Sequence, residues 1–196
     1  VWKMKKFLLP LVILASILSS CLAEQEQTID DLSVKAENLQ EMYTPVKFRI
    51  DEKRTDRIYA TMKFYNVKGE EVAKQKIKLN GTELAFDFYV IPVDDRFLAF
   101  PTKVFTNKIA PDKGKYIMDV YTKNGFPQIF NKPEMTESYT NGIKAAYSYA
   151  KANILRNDST AFGNTVHDLE GISSFLPGHV YKIQVLSKGG IEVVEE

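Results

Sequence analysis

The sequence predicts an α+β fold: a mainly antiparallel β-sandwich, Ig-like or related, with one long helix in its C-terminal half and a final β-hairpin. Three observations carry this. From Pro45 to Tyr121, apolar and polar residues alternate in short runs separated by polar turns, the pattern of a many-stranded antiparallel fold. The period then changes. Met135, Tyr139, Ile143, Tyr147, Ala150 and Ile154 recur at steps of three and four, one face of a helix of about twenty residues. Last, His179 to Leu186 and Ile191 to Val194 flank Lys188-Gly189-Gly190, which reads as a closing hairpin.

Each element has its own signal. Val46, Phe48 and Ile50 alternate with Lys47 and Arg49, and Ile58, Ala60, Met62 and Phe64 alternate with Tyr59, Thr61, Lys63 and Tyr65. Asn66-Val67-Lys68-Gly69 is a turn, with Gly69 suited to positive φ. A strand follows from Glu71 to Leu79, and Asn80-Gly81 is the strongest short hairpin signal in the chain. Leu84 to Ile91 is apolar on both faces apart from Asp87, which predicts a central, covered strand. Pro92 to Asp95 turns the chain; Phe97–Phe100, Lys103–Thr106 and Tyr116–Tyr121 read as short strands. Pro133 marks where the helix begins and Asn157-Asp158 where it stops. Gly142, inside it, reads as an exposed glycine costing up to about 1 kcal/mol against Ala; the other reading is close packing or a kink. The loop Ser159 to Gly178 carries Val166, Leu169, Ile172, Phe175 and Leu176, so it packs.

The start of the chain is not fold. Lys3, Lys5 and Lys6 precede an apolar run from Phe7 to Leu18, which closes on Leu18-Ser19-Ser20-Cys21. The run is shorter than the roughly 20 residues of a spanning helix and has the order of an export signal. Leu18-Ser19-Ser20-Cys21 resembles the lipobox of bacterial lipoprotein precursors. The resemblance implies cleavage before Cys21 and acylation of that residue, a stable anchor because more than one chain is attached. It covers about a tenth of the chain and says nothing of the rest. The expected layout is a signal peptide at 1–20, lipidated Cys21 with a tether over 21–43, and one domain at 44–196. Within the tether, Leu32, Ala36, Leu39 and Tyr43 fit a helix, while Leu32, Val34 and Ala36 fit a strand; both patterns stand.

Loss of the leader removes three lysines and no acids, which takes the formal net charge from +1 to −2. On that average there is no footprint for nucleic acid, and no attraction to an anionic lipid surface. No cysteine follows Cys21, so an exported domain would fold without disulfides or a thiolate site.

Chemistry is sparse. His167, Asp168 and Glu170 supply metal-ligand types at no recognised spacing, and a solvated turn explains them as well; no metal and no cofactor are expected. Ser173 or Ser174 with His167 and Asp168 lacks a nucleophile elbow, and Asp94-Asp95 lies in a turn. No catalytic residue is therefore assigned. Asn124 to Phe130 is richer: Phe126, Ile129 and Phe130 in a Gly/Pro-punctuated segment form a recognition patch if exposed, or a plug between helix and strands if buried. Tyr139 and Tyr147 lie on the helix core stripe; Tyr149 lies off it and joins the candidate ligand-binding set. The expected role is an envelope lipoprotein, outer membrane favoured where there is one because Leu22 is not Asp. It would be held in the bilayer by Cys21 and bind a protein, an envelope polymer or a small ligand. A structural envelope component, or a hydrolase built around His167, is the alternative.

Overall fold

The computed structural model describes residues 42–93, 95–156, 164–166 and 175–196. The leader, Cys21 and the tether to residue 41 lie outside the described residues, as do Asp94, Asn157, Asp158, His167, Asp168, Glu170, Ser173 and Ser174.

Strand β1 is Met42–Lys53 and begins ahead of Pro45, so Met42 and Tyr43, expected in the tether, belong to the sheet. Pro45 sits where the register of β1 shifts, a place where its missing N–H costs no ladder bond. β2 is Arg57–Tyr65, β3 Glu71–Asn80, β4 Leu84–Val93 and β5 Arg96–Thr106. The two short strands expected over Phe97–Thr106 are thus one. Pro101 is accommodated opposite Phe88, next to a register shift, and Thr102 donates its hydroxyl to the Asp87 carbonyl at 3.1 Å. The expected strand Tyr116–Tyr121 is different: only Lys115–Tyr116 (β6) pairs, and Met118–Tyr121 is a 3-10 turn. Short strands β7, Thr122–Lys123, and β8, Phe126–Pro127, precede helix α1, Glu137–Arg156; β9 is Asn164–Val166, β10 Val180–Leu186 and β11 Ile191–Glu195.

The molecule is mainly antiparallel β-sheet with one long helix and a final hairpin. One sheet has the order β11-β10-β1-β2-β3, a second β6-β5-β4-β9, and β7-β8 form a small ribbon. The Asn66–Gly69 turn joins β2 to β3 as read: the Asn66 side-chain oxygen accepts from the Lys68 and Glu70 amides, and Gly69 has φ 80°. Asn80-Gly81 does something else. It carries the chain from the first sheet to the second instead of closing a hairpin. Gly81 has φ 115°, and a Cβ there would lie 2.4 Å from the Thr106 hydroxyl. The glycine is required by the close crossing of β5.

The two sheets share one apolar cluster. Val46, Phe48 and Ile50 of β1 and Ile58, Ala60, Met62 and Phe64 of β2 are buried on the inner face. Phe48 meets Phe86 of β4 at 5.0 Å between ring centroids. Tyr43 donates its hydroxyl to the Ala99 carbonyl at 3.0 Å and accepts the Ala99 amide at 3.2 Å, tying β1 to β5. β4 is the covered strand its sequence predicts.

Helix α1 starts at Thr136, whose hydroxyl accepts the Tyr139 amide at 3.1 Å as an N-cap, with Glu137 complementing the positive helix end. Tyr139, Ile143, Ala146, Tyr147 and Ala150 are buried. Gly142 is buried too, against the exposed position expected for it, because it falls on the same inward stripe. The helix packs on β4, β5 and β8. Among the described residues no helix is long and apolar enough to cross a membrane.

Two outcomes follow. Ile143→Ala should open a cavity under α1 and cost about 2–5 kcal/mol in urea unfolding; an effect below about 0.5 kcal/mol would mean that α1 does not support the sheets. The second concerns base. Burial raises the pKa of Tyr43, Tyr121 and Tyr139, and pushes Tyr147 up from the ordinary 10.0 to about 12. A raised pKa favours the neutral phenol in the folded state. Their contribution is therefore whole below pH 10 and lost as pH climbs towards 12. Urea midpoints should fall across that window, less steeply in Tyr147→Phe; a flat profile would contradict the burial.

Candidate functional site

The expected patch is not a surface. Phe126, Ile129 and Phe130 are 5%, 0% and 1% exposed. They fill the space between α1 and the sheets, as the plug alternative has it. Phe130 contacts Tyr43 and Phe100 at 5.5 and 5.4 Å, and its carbonyl accepts the Tyr139 hydroxyl at 2.9 Å. The reason is the Gly/Pro-punctuated turn itself: Asn124 and Gly125 take positive φ, which folds the segment back under the helix. Tyr149, expected to point outward, is half-buried and packs against the core. His179 is exposed and pairs with Glu195 across the β10–β11 ladder. Asp95 is exposed at the β4–β5 turn. Among the described residues no three His, Cys, Asp or Glu side chains are grouped to hold a metal.

The feature that stands out is the outer face of the five-stranded sheet. The two-residue period that sends Val46, Phe48 and Ile50 inward sends Lys47 and Arg49 outward. The register then stacks like with like. Lys182 of β10 pairs with Lys47 of β1, Lys47 with Lys63 of β2, and Lys63 with Lys74 of β3. Four lysines thus form one row across four adjacent strands. In the next row Arg49 stands opposite Thr61, and Thr61 opposite Lys76. Neighbouring strands are about 4.8 Å apart, so the lysine row spans about 14–15 Å.

Lys47, Arg49, Lys63, Lys74 and Lys76 line one open groove of about 430 Å³, together with Thr61, Tyr65 and Glu196. A second hollow of about 440 Å³ adjoins it and shares Arg49 and Lys76. The two hollows meet at a polar network. Asp51 takes two hydrogen bonds from Arg49 on one oxygen, at 2.9 and 2.8 Å, and one from the Thr61 hydroxyl on the other at 2.6 Å. Partial burial works to raise the Asp51 carboxyl, but the bonds from Thr61 and Arg49 outweigh it and hold it below the usual carboxylate range. Lys63 reaches Glu71 at 2.7 Å, a hydrogen bond that keeps its ammonium above the ordinary lysine range, and Lys47 pairs with Glu196. These pairs are solvated at the rim and stabilise little. Lys74, Lys76 and Lys182 have no ion pair among the described residues. Like charges directly opposite one another destabilise a sheet, so the row is carried against its own repulsion.

Net charge concealed this face, because it averages over a surface that the strand period segregates. The signal was present in the spacing. Lys74, Lys76 and Lys78 alternate along β3, and Lys47-Phe48-Arg49 and Lys63 repeat the pattern on its neighbours. What the sequence alone lacks is the register that aligns them.

No protein-family model, curated protein or solved structure matches the chain.

Proposed function

We propose that this protein is a lipid-anchored, extracytoplasmic envelope component that binds an anionic ligand on the outer face of its five-stranded sheet, without catalysing a reaction on it. The anchor rests on Leu18-Ser19-Ser20-Cys21, and its bilayer would be the outer membrane where the cell has one. The finer fold reading, two sheets packed as a β-sandwich with the helix against one side, rests on the apolar cluster to which both contribute. In that arrangement one face of the first sheet is spent on the core and the other is free for a ligand.

The observation that carries the binding role is the lysine row Lys182–Lys47–Lys63–Lys74. Four cations held in register across four strands attract an extended anion more strongly than the net charge of the chain allows, because their potentials add at one place. The salt bridges at its rim exchange readily with an incoming carboxylate or phosphate.

Two measurements test the two halves. Metabolic labelling with a fatty acid should mark the wild-type chain and not Cys21→Ala; equal labelling of both would remove the anchor. Titration of the full chain, in nonionic detergent, with polyacrylate as a featureless polyanion should show binding that weakens steeply with salt. Lys47→Gln/Lys63→Gln should bind about tenfold more weakly. No salt-dependent binding, or equal binding by the double variant, would overturn the reading.

A further inference from the structure

The arrangement of the face narrows the ligand, an inference that rests on the binding role proposed above. We infer that the ligand is a linear acidic polysaccharide carrying one carboxylate per sugar residue, lying along the lysine row and across the strands.

The first argument is spacing. Successive lysines in the row are separated by one strand interval, about 4.8 Å, which is the length of a single sugar residue in an extended glycan. A polyuronate laid over Lys182, Lys47, Lys63 and Lys74 therefore meets one ammonium per residue. The lysine stems are long and flexible, and place their charges on either side of a chain that twists. The second argument is the polar network beside the row. Thr61, which lines the groove in the row of Lys76, donates its hydroxyl at 2.6 Å to Asp51, which lines the adjoining hollow. With the Thr61 proton given to Asp51, both present acceptor oxygens to sugar hydroxyls, which a bare polyanion lacks.

Other polyanions fit less well. Single-stranded nucleic acid is gripped by stacking of bases on open aromatic rings. Here the Tyr65 ring is covered by Lys47 at 5.3 Å, and the Tyr59 ring by Arg54 at 5.2 Å and Lys78 at 5.6 Å. An anionic bilayer sets its headgroups further apart than neighbouring strands, and surface-bound proteins add apolar groups that enter it. The large apolar side chains exposed among the described residues are Met42 and Leu176, neither of which lines the groove.

The test is isothermal titration of the full chain, in nonionic detergent, with four probes at one ionic strength. They are hexagalacturonate, its methyl ester, oligothymidylate of equal charge, and mixed micelles of phosphatidylglycerol in the same detergent. Hexagalacturonate should bind tightest, and the uncharged ester about tenfold more weakly or worse. Lys47→Gln/Lys63→Gln should lose the same factor, Lys47→Arg/Lys63→Arg should retain binding, and Lys108→Gln/Lys113→Gln, a change of equal charge away from the five-stranded sheet, should leave it unaltered. Urea midpoints at or above the wild-type value would confirm that these surface variants are folded. Equal affinity for the ester would overturn the inference. Tighter binding of the oligonucleotide or the phosphatidylglycerol micelles through the same two lysines would overturn it while leaving the anionic-ligand role in place. Binding of none of the charged probes, with polyacrylate also unbound, would overturn both.

Discussion

The structure depends on the two-residue period of β1. This strand lies at the middle of its sheet, between β10 and β2. Its even-numbered residues Val46, Phe48 and Ile50 enter the core, so its odd-numbered Lys47 and Arg49 have only the solvent face. A slip of one residue would bury the cations and expose the apolar set, at a cost no surface contact could repay. The same constraint that fixes the core thereby fixes the cationic row. Both neighbours repeat the pattern, which is why the charges align across strands as well as along them.

A second constraint closes the molecule on its other side. Phe64, Tyr121, Tyr147, Phe100, Phe130 and Tyr43 form a continuous run of ring contacts from β2 through the 3-10 turn, α1, β5 and the Phe126–Phe130 segment to β1. Each tyrosine in it has a partner for its hydroxyl: Tyr43 on Ala99, Tyr121 on Pro101 at 2.7 Å, and Tyr147 on the Met118 carbonyl and Thr122. Buried phenols satisfied in this way add packing without an orphaned polar group. The run explains why an aromatic-rich segment that reads as a binding patch is interior.

Much of the fold was legible because it follows local rules. The alternation of β1 and β2, the Asn66–Gly69 turn, the stripe of α1 and the Gly189-Gly190 hairpin all rest on residues near one another in sequence. The misreadings share a different cause. Asn80-Gly81 has the chemistry of a hairpin turn, but the strand after it joins the other sheet, and the glycine serves a close approach to the distant Thr106. Phe97 to Thr106 looks broken at Pro101, and the bulge that absorbs the proline is visible only beside β4. Tyr149 was placed off the apolar stripe correctly in angle, yet the buried arc is wide enough to half-cover it, and Gly142, read as exposed, lies on the inward stripe. The candidate site was hidden for the same reason: four lysines become one row only when register is known.

A row of like charges on adjacent strands is a liability to a sheet, and the proposed binding role would be a physical reason to keep it. Charged side chains on edge strand β3 also discourage edge-to-edge pairing, but Lys47 and Lys63 lie on interior strands, where no edge needs guarding. Stability and binding should therefore oppose each other at this face. Lys74 gives the cleanest case, since it stands opposite Lys63 and has no ion pair among the described residues. Lys74→Gln, measured by urea unfolding at low salt and by polyacrylate titration, should gain about 0.2–1 kcal/mol of stability and bind the polyanion more weakly. A variant that is less stable than wild type and binds as well would contradict the account.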